Sequence, residues 1–486
     1  MLTSCTEIKN YDRAGFFDLF SFIIIKFYFF IAQCSALPVF GEVGGMSTDE
    51  MVDIYYKKLL SFCRRTAKAD IIKVFSLTAV STLVRMLTGL VSVKVVASII
   101  GPAGVALVGQ LNNFASIAMT VSSAGINGGV TKYVAEYKSD SEKVSLYLST
   151  ALRITVACSL VVGILLLIFH KHLSERIMMS LDYGYVFIIF GFTILLYALN
   201  ALIASIINGF KEFGKYVKVS MAGSVFGLLF TLSFVLLWGL KGALISAVTF
   251  QSVMLFVSLW MVRKCEWLRW SNFKQRIDCA LSKQYFRYTL MAIATASTLP
   301  VSQMLLRGYV ISEISVEEAG WWEAMNRISN MYLMIITSSF GIYYLPRLSE
   351  LTDPAELRYE IFKSYKVIVP MLLLGLTLVY FLRFIVIRIL FTPEFLPMEN
   401  LFIWQLLGDF FKILSWLLSY LMVAKSMTRY FIGTEIFFGL SFVCFGFFFM
   451  RMNGVVGITQ GYLLNYILYT LCMFWIFRKL LFKAKF

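Results

Sequence analysis

The residues of this 486-residue chain best suited to chemistry are charged groups set inside long apolar stretches. Arg85, Lys94, Arg153, Arg327 and Lys412 fall within such stretches, Arg307 lies near the end of another, and Asp409 and Glu323 are the acids at comparable depth. A charge in mid-bilayer costs about 2.5–3.5 kcal/mol on insertion scales, so such residues face a wet cavity or a partner. Basic groups outnumber acids here, so they cannot all be neutralised internally. An anionic ligand would complete the balance, and the planar fork of arginine suits phosphate in particular. Amides supply a second kind of chemistry: Gln110, Asn112 and Asn113 on one stretch, and Asn326 and Asn330 on another, offer donors and acceptors to a hydroxyl-rich ligand.

Plainer accounts stand beside several of these. Asp409 and Lys412, three apart on one helix face, can simply pair. Arg153, near a helix start, and Lys94 can snorkel to headgroups. The amides can serve as glue between helices. With these alternatives open, the candidate binding set is Arg85, Lys94, Gln110, Asn112, Asn113, Arg307, Asn326, Arg327, Asn330 and Lys412, and Asp409 is the candidate ion-coupling acid.

The elements that position them are membrane spans. The chain is 59% hydrophobic and 15% charged, with a mean hydropathy of +0.77. Soluble proteins carry about 25% charged residues, so this chain is solvated mainly by lipid. Apolar stretches long enough to cross a bilayer run at 72–100, 104–127, 145–169, 184–208, 216–238, 241–263, 284–311, 321–345, 365–390, 400–424, 428–450 and 453–477. The expected fold is therefore an all-α polytopic membrane protein with twelve transmembrane helices. Pro300 is expected to interrupt the seventh span, and Pro346 to end the eighth.

Loop charge sets the orientation. With the segment before the first span inside, the inner loops and adjoining span ends from residue 57 onward hold 29 Lys and Arg, against seven on the outer side. That asymmetry places both termini in the cytoplasm. It also accounts for the net charge of +16 without nucleic acid, because the basic residues lie in short clusters between apolar runs.

Residues 81–126 and 297–342 resemble one another at a constant offset of 216. Ser81-Thr82-Leu83 falls on Ser297-Thr298-Leu299, Ala103-Gly104 on Ala319-Gly320, and Ser122-Ser123-x-Gly125-Ile126 on Ser338-Ser339-x-Gly341-Ile342. Six spans per copy keep both halves the same way up, so the expectation is two six-helix lobes related by a parallel pseudo-two-fold axis. The segments divide as 46–71, a cytoplasmic basic segment; 72–263, the N-terminal lobe; 264–283, a cytoplasmic linker; 284–479, the C-terminal lobe; and 480–486, a tail. Residues 1–45 do not fit this scheme, since Asp18 and Lys26 interrupt their short apolar run. They read as an upstream extension, with natural translation starting at Met46 or Met51.

Neither a cofactor nor a metal site is expected. The eight cysteines are scattered without a CxxC pair, and His170 and His172 would diverge on a helix. No nucleotide-binding or nucleophile motif appears, so the chain reads as non-enzymatic.

The stretches GPAGVALVGQ (101–110), INGGVTKYVAEY (126–137), YTLMAIATASTLPVSQMLLR (288–307), YLPRLSEL (344–351) and FIWQLLGDFFKILSWLLSYLMVAK (402–425) resemble the Wzx flippases. Within that group they resemble the branch that moves enterobacterial common antigen lipid III. The resemblance runs from about residue 70 to the C-terminus. It implies the polysaccharide-transporter branch of the MOP superfamily, relatives of MATE exporters, with two lobes around a cation-lined cavity in the bacterial inner membrane. Such proteins pass undecaprenyl-pyrophosphate-linked oligosaccharides from the cytoplasmic to the periplasmic leaflet. Their partners are that lipid-linked glycan, membrane lipids, and glycan polymerase and chain-length proteins. Lys94, Arg307, Asp409 and Lys412 stand where the similar flippases also carry, or nearly carry, charge. Arg327 and Asn330 depart from that pattern and point to an O-antigen repeat unit or another variable glycan. A MATE-like exporter of small cations would want an acidic cavity, and a membrane glycan polymerase or ligase would want a long outer loop. The longest outer loop is only about 15 residues, short of the lids and binding loops that carry function.

Overall fold

Two glycines fold the longest helices of this molecule back on themselves. In the computed structural model, helix α1 (Asp70–Ser122) kinks at Gly101, whose φ of 64° is open to glycine and strained for other residues. Pro102 follows, where the first turn of the returning segment has no use for an N–H. Helix α6 (Phe213–Val262) kinks in the same way at Gly239, φ 55°. These turns fall in the short gaps between the expected spans 72–100 and 104–127 and between 216–238 and 241–263. The structure describes residues 70–482 apart from Ser139, Lys274, 276–278 and Ser426; the extension proposed for 1–45 lies outside the described residues.

Between those two come α2 (Asn127–Glu136), α3 (Ser141–Ile168), α4 (His170–Met178) and α5 (Gly184–Gly209). After α6 follow α7 (Cys279–Glu313), α8 (Val316–Ser339), a π-helical turn at Phe340–Tyr344, α9 (Leu345–Glu350), α10 (Pro354–Phe381) and α11 (Arg383–Leu390). The chain ends in α12 (Glu399–Ala424), α13 (Thr428–Asn453), α14 (Val455–Ile476) and α15 (Arg478–Phe482). Side-chain caps set several starts. Asp140 accepts from the Lys143 N–H, Ser315 from Glu317, and Asp353 from Glu356, with Pro354 at the first position of α10. Pro300 stands inside α7 without ending it, contrary to expectation, while Pro346 lies in the short α9 that follows the π turn.

Among the described residues, eight helices are long and apolar enough to cross a membrane: α1, α3, α5, α6, α10, α12, α13 and α14. Helix α7 is as long as these, and α8 carries Glu317, Glu318, Glu323, Asn326, Arg327 and Asn330. The segment expected as a plain polar linker instead forms short turns at Glu266–Leu268 and Trp270–Phe273. The Asn272 carbonyl there accepts from Ser145 and Ser149 of α3.

One structural feature recurs at an offset of 215. Gly239 and Gly242 at the α6 kink correspond to Gly454 and Gly457 between α13 and α14. A Cβ on Gly242 would run into the Phe234 carbonyl, and one on Gly457 would run into the Phe449 carbonyl, again 215 residues on. Both turns therefore close by the same backbone-to-backbone approach, which only glycine permits.

Candidate functional site

Helices α1, α7 and α8 carry five of the ten expected binding residues in this region: Gln110, Asn113, Arg307, Asn326 and Arg327. Arg307 is fully buried, and its Nη2 donates to Glu323 Oε2 at 2.5 Å. The other oxygen of Glu323 accepts from Arg327 Nε at 3.0 Å, one helical turn along α8. One carboxylate thus serves two guanidinium groups, leaving a net positive cluster. The Arg307 guanidinium lies 5.2 Å from the centroid of the Trp322 ring, while its Nε and Nη1 have no partner. Such unspent buried donors cost about 1–3 kcal/mol each unless something else satisfies them.

Helix α1 completes the cluster from the other side. Gly109 packs on Glu323 so closely that a Cβ would come within 2.5 Å of its carboxyl carbon. Gln110 donates from Nε2 to the Met304 carbonyl of α7 at 3.1 Å, and its Oε1 is unpartnered. The Nδ2 atoms of Asn113 and Asn326 are also buried without partners. Asn112 and Asn330, by contrast, are exposed and outside this packed cluster.

Contacts near Gly101 hold α1 firmly to the later helices. A Cβ on Gly320 would clash with the Pro102 carbonyl, and Trp321 Nε1 donates to the Glu394 carbonyl at 3.0 Å. Lys94 Nζ donates to the carbonyls of Arg388 and Phe391 at 3.4 and 3.3 Å, where α11 ends. Lys94 therefore caps a helix C-terminus, neither snorkelling freely nor joining the Arg307 cluster. Arg153 is exposed on α3, as its snorkelling account requires.

Asp409 and Lys412 belong to a different neighbourhood and do not form the ion pair that their spacing allows. Asp409 is fully buried and accepts from Ser329 Oγ at 2.6 Å, Tyr462 OH at 2.8 Å, Gln405 Nε2 at 3.4 Å and the Tyr332 hydroxyl. Those donors come from α8, α12 and α14. Lys412 Nζ instead lies 5.0, 5.5 and 5.4 Å from the ring centroids of Trp416, Tyr462 and Tyr466. The physical reason is supply: three hydroxyls and the Gln405 amide already occupy the carboxylate's acceptor positions, and the rings offer the cation their negative faces.

The helices also enclose two chambers. One, of about 630 Å³, is bounded by α1, α5 and α6, and there Arg85 donates to Ser220 Oγ at 2.9 Å. The other, of about 560 Å³, lies among α7, α8, α12, α13 and α14 and includes Trp416 and Glu435. Sequence reading missed Ser220, Ser329, Tyr332, Tyr462 and Glu435, which come from helices distant in the chain. It noted Glu323 as an acid without placing it in the site, although the Glu323–Arg327 spacing of four was a readable signal.

Comparison with known proteins fits this geometry. Residues 71–352 match the sequence profile of the family described as polysaccharide biosynthesis protein. The chain is 30% identical over 396 residues to the lipid III flippase of Escherichia coli (strain K12), covering 81% of this chain and 95% of that one. Its fold is similar to that of a multidrug resistance MATE family transporter of the MOP superfamily in its inward-facing conformation, with a TM-score of 0.67, 14% identity, and coverage of 83% of this chain and 100% of the other. It is also similar to the lipid II flippase MurJ in an inward closed conformation, with a TM-score of 0.65, 14% identity, and coverage of 82% and 87%.

Proposed function

The chain belongs to the polysaccharide biosynthesis protein family, and from that premise we propose that it is a flippase for a lipid-linked glycan. It is a multi-pass membrane transporter rather than an enzyme, as its flippase relatives are. Its substrate is an undecaprenyl-pyrophosphate-linked oligosaccharide, an O-antigen repeat unit or enterobacterial common antigen lipid III, carried from the cytoplasmic to the periplasmic leaflet of the bacterial inner membrane. The single observation that carries this reading is the Arg307–Glu323–Arg327 cluster: two guanidiniums, one acid, and Arg307 N–H groups left unspent in a buried setting. A pyrophosphate supplies the missing acceptors. An exporter of organic cations would need the opposite sign of charge.

Splitting α1 and α6 at their kinks and counting α3, α5, α7, α8, α10, α12, α13 and α14 gives twelve spans. The repeated glycine turn at an offset of 215 supports two equivalent lobes. Loop charge puts both termini in the cytoplasm and the Gly101 turn at the periplasmic face, where Gly320 and Pro102 seal the lobes together. The chambers then serve an inward-facing state, and alternating access breaks the Gly109–Glu323 contact as the lobes rock. Asp409 of α12, tied through hydroxyl donors to α8 and α14, is the acid available for ion coupling, because a change at its carboxylate would loosen the three helices together. Glycan polymerase and chain-length proteins take the product onward.

Deleting the gene in its host should cause one lipid-linked saccharide to accumulate on the cytoplasmic leaflet, restored to normal by the plasmid-borne gene. If no such lipid accumulates, the flippase reading fails.

A further inference from the structure

The chamber beside Lys412 has no part in holding phosphate, yet its walls are rich in unspent polar groups. Its volume of about 560 Å³ is in the range of sites for small ligands. Trp416, Tyr420, Tyr466 and Tyr469 present ring faces or edges to it. The Trp416 indole N–H and the hydroxyls of Tyr420 and Tyr466 have no hydrogen-bond partner among the described residues, and they are not sealed from the cavity. Glu435 accepts from the Tyr469 hydroxyl through one oxygen at 3.2 Å and keeps the other for a ligand.

The charge pattern narrows the ligand class. Glu435 is the acid among the lining residues, and Lys412 lies behind the Trp416 ring. A carboxyl group in the lining disfavours pyrophosphate and any acidic sugar. What remains is an uncharged, hydroxyl-rich molecule with an apolar face. A sugar ring has that character: its C–H face packs on an aromatic ring, and its neighbouring hydroxyls donate to a carboxylate while accepting from N–H and O–H groups.

We propose that this chamber is the subsite for an uncharged sugar residue of the lipid-linked glycan, with Trp416 and Tyr420 as the stacking platform and Glu435 as the acceptor for its hydroxyls. This rests on the flippase reading above and adds a division of labour to it. The Arg307 cluster holds the pyrophosphate, and the aromatic chamber reads the sugar.

The test is binding to the full-length protein in lipid nanodiscs, read by native mass spectrometry. The two probes are undecaprenyl pyrophosphate alone and the same lipid carrying a neutral hexose disaccharide. The wild type should bind the glycosylated lipid about tenfold more tightly or better, the scale of one or two hydrogen bonds to a charged acceptor. Trp416→Leu and Glu435→Gln should each remove most of that advantage while leaving affinity for the bare lipid unchanged, which also reports an intact fold. Trp416→Phe, which keeps a ring but loses the N–H, should retain part of it. An advantage that persists in both Trp416→Leu and Glu435→Gln overturns the chamber's role. So does tighter binding of a lipid carrying a uronic acid in place of the neutral sugar. Equal wild-type affinity for the two probes overturns the subsite and leaves the flippase reading standing, whereas a wild type that binds neither lipid removes both.

Discussion

In the N-terminal helices, Arg85 reaches Ser220 Oγ at 2.9 Å across a chamber lined by serine, threonine and glycine. At an offset of 215, Ser220 gives way to Glu435, and at 216 Arg85 gives way to Val301. The chamber there is walled by Trp416, Tyr420 and Tyr466, with Lys412 behind them. Matched backbone positions thus carry opposite chemistry: one exposed cation among hydroxyls, and one free carboxylate oxygen among rings. The glycine turn at Gly239 recurs at Gly454 because its close backbone packing is set by shape alone.

Substitutions can break that comparison, and the largest effect should come from the Arg307–Glu323–Arg327 cluster. Arg307→Gln strands Glu323 beside a single arginine and removes the buried fork. Loss of one partner of a buried pair costs about 3–5 kcal/mol, so both the Tm in detergent and transport should fall steeply. Arg307→Lys should hold the Tm closer to wild type, yet complementation of a deletion strain should still drop more than about tenfold, because a point charge cannot replace a bidentate donor. Wild-type complementation by Arg307→Lys would reduce Arg307 to a structural cation.

Asp409→Asn comes next. The amide cannot accept from Ser329, Tyr332 and Tyr462 as a carboxylate does, so a loss of about 1–3 kcal/mol is expected. A thermal melt of the purified protein measures it, and an unchanged Tm would make that network dispensable.

Gly109→Ala sharpens the comparison at the contact between α1 and α8. Its Cβ would fall 2.5 Å from the Glu323 carboxyl carbon, an overpacking of about 1–3 kcal/mol against the closed arrangement. Cysteines placed near Gly101 should then label faster from the periplasmic side. Arg85→Gln should have the smallest effect on stability, within about 0.5 kcal/mol, since Arg85 is exposed and held by one hydroxyl. A few-fold decrease in transport with an unchanged Tm would mark it as a ligand contact, and full activity would leave the hydroxyl chamber without a charged role.

Much of the fold was legible because hydropathy and glycine act locally. The joints at Gly101 and Gly239 stand where a positive φ turns the chain, and the starts at Asp140, Ser315 and Asp353 are caps readable from residue type. Pro300 misled, because a long helix packed against α13 absorbs it, with Ser302 donating to the Gly439 carbonyl at 3.0 Å. The candidate site was legible as a set of charges, but not as pairs. Spacing alone offered Lys412 to Asp409, whereas the folded chain gave Asp409 three hydroxyls and gave Lys412 three rings.

The sequence by itself determined that this chain lives in lipid, where its longest helices turn, and that cations outnumber acids within its apolar stretches. Those properties depend on neighbours in the chain or on simple totals. Only the tertiary structure decided that Arg307 and Arg327 share Glu323, that Gly109 closes over it, that Lys94 caps α11, and that Glu435 opens into an aromatic chamber. Apart from the Glu323–Arg327 pair on α8, these contacts join different helices. In a bilayer, where apolar surface is no guide to which helix meets which, close packing and the need to satisfy buried polar groups choose the partners.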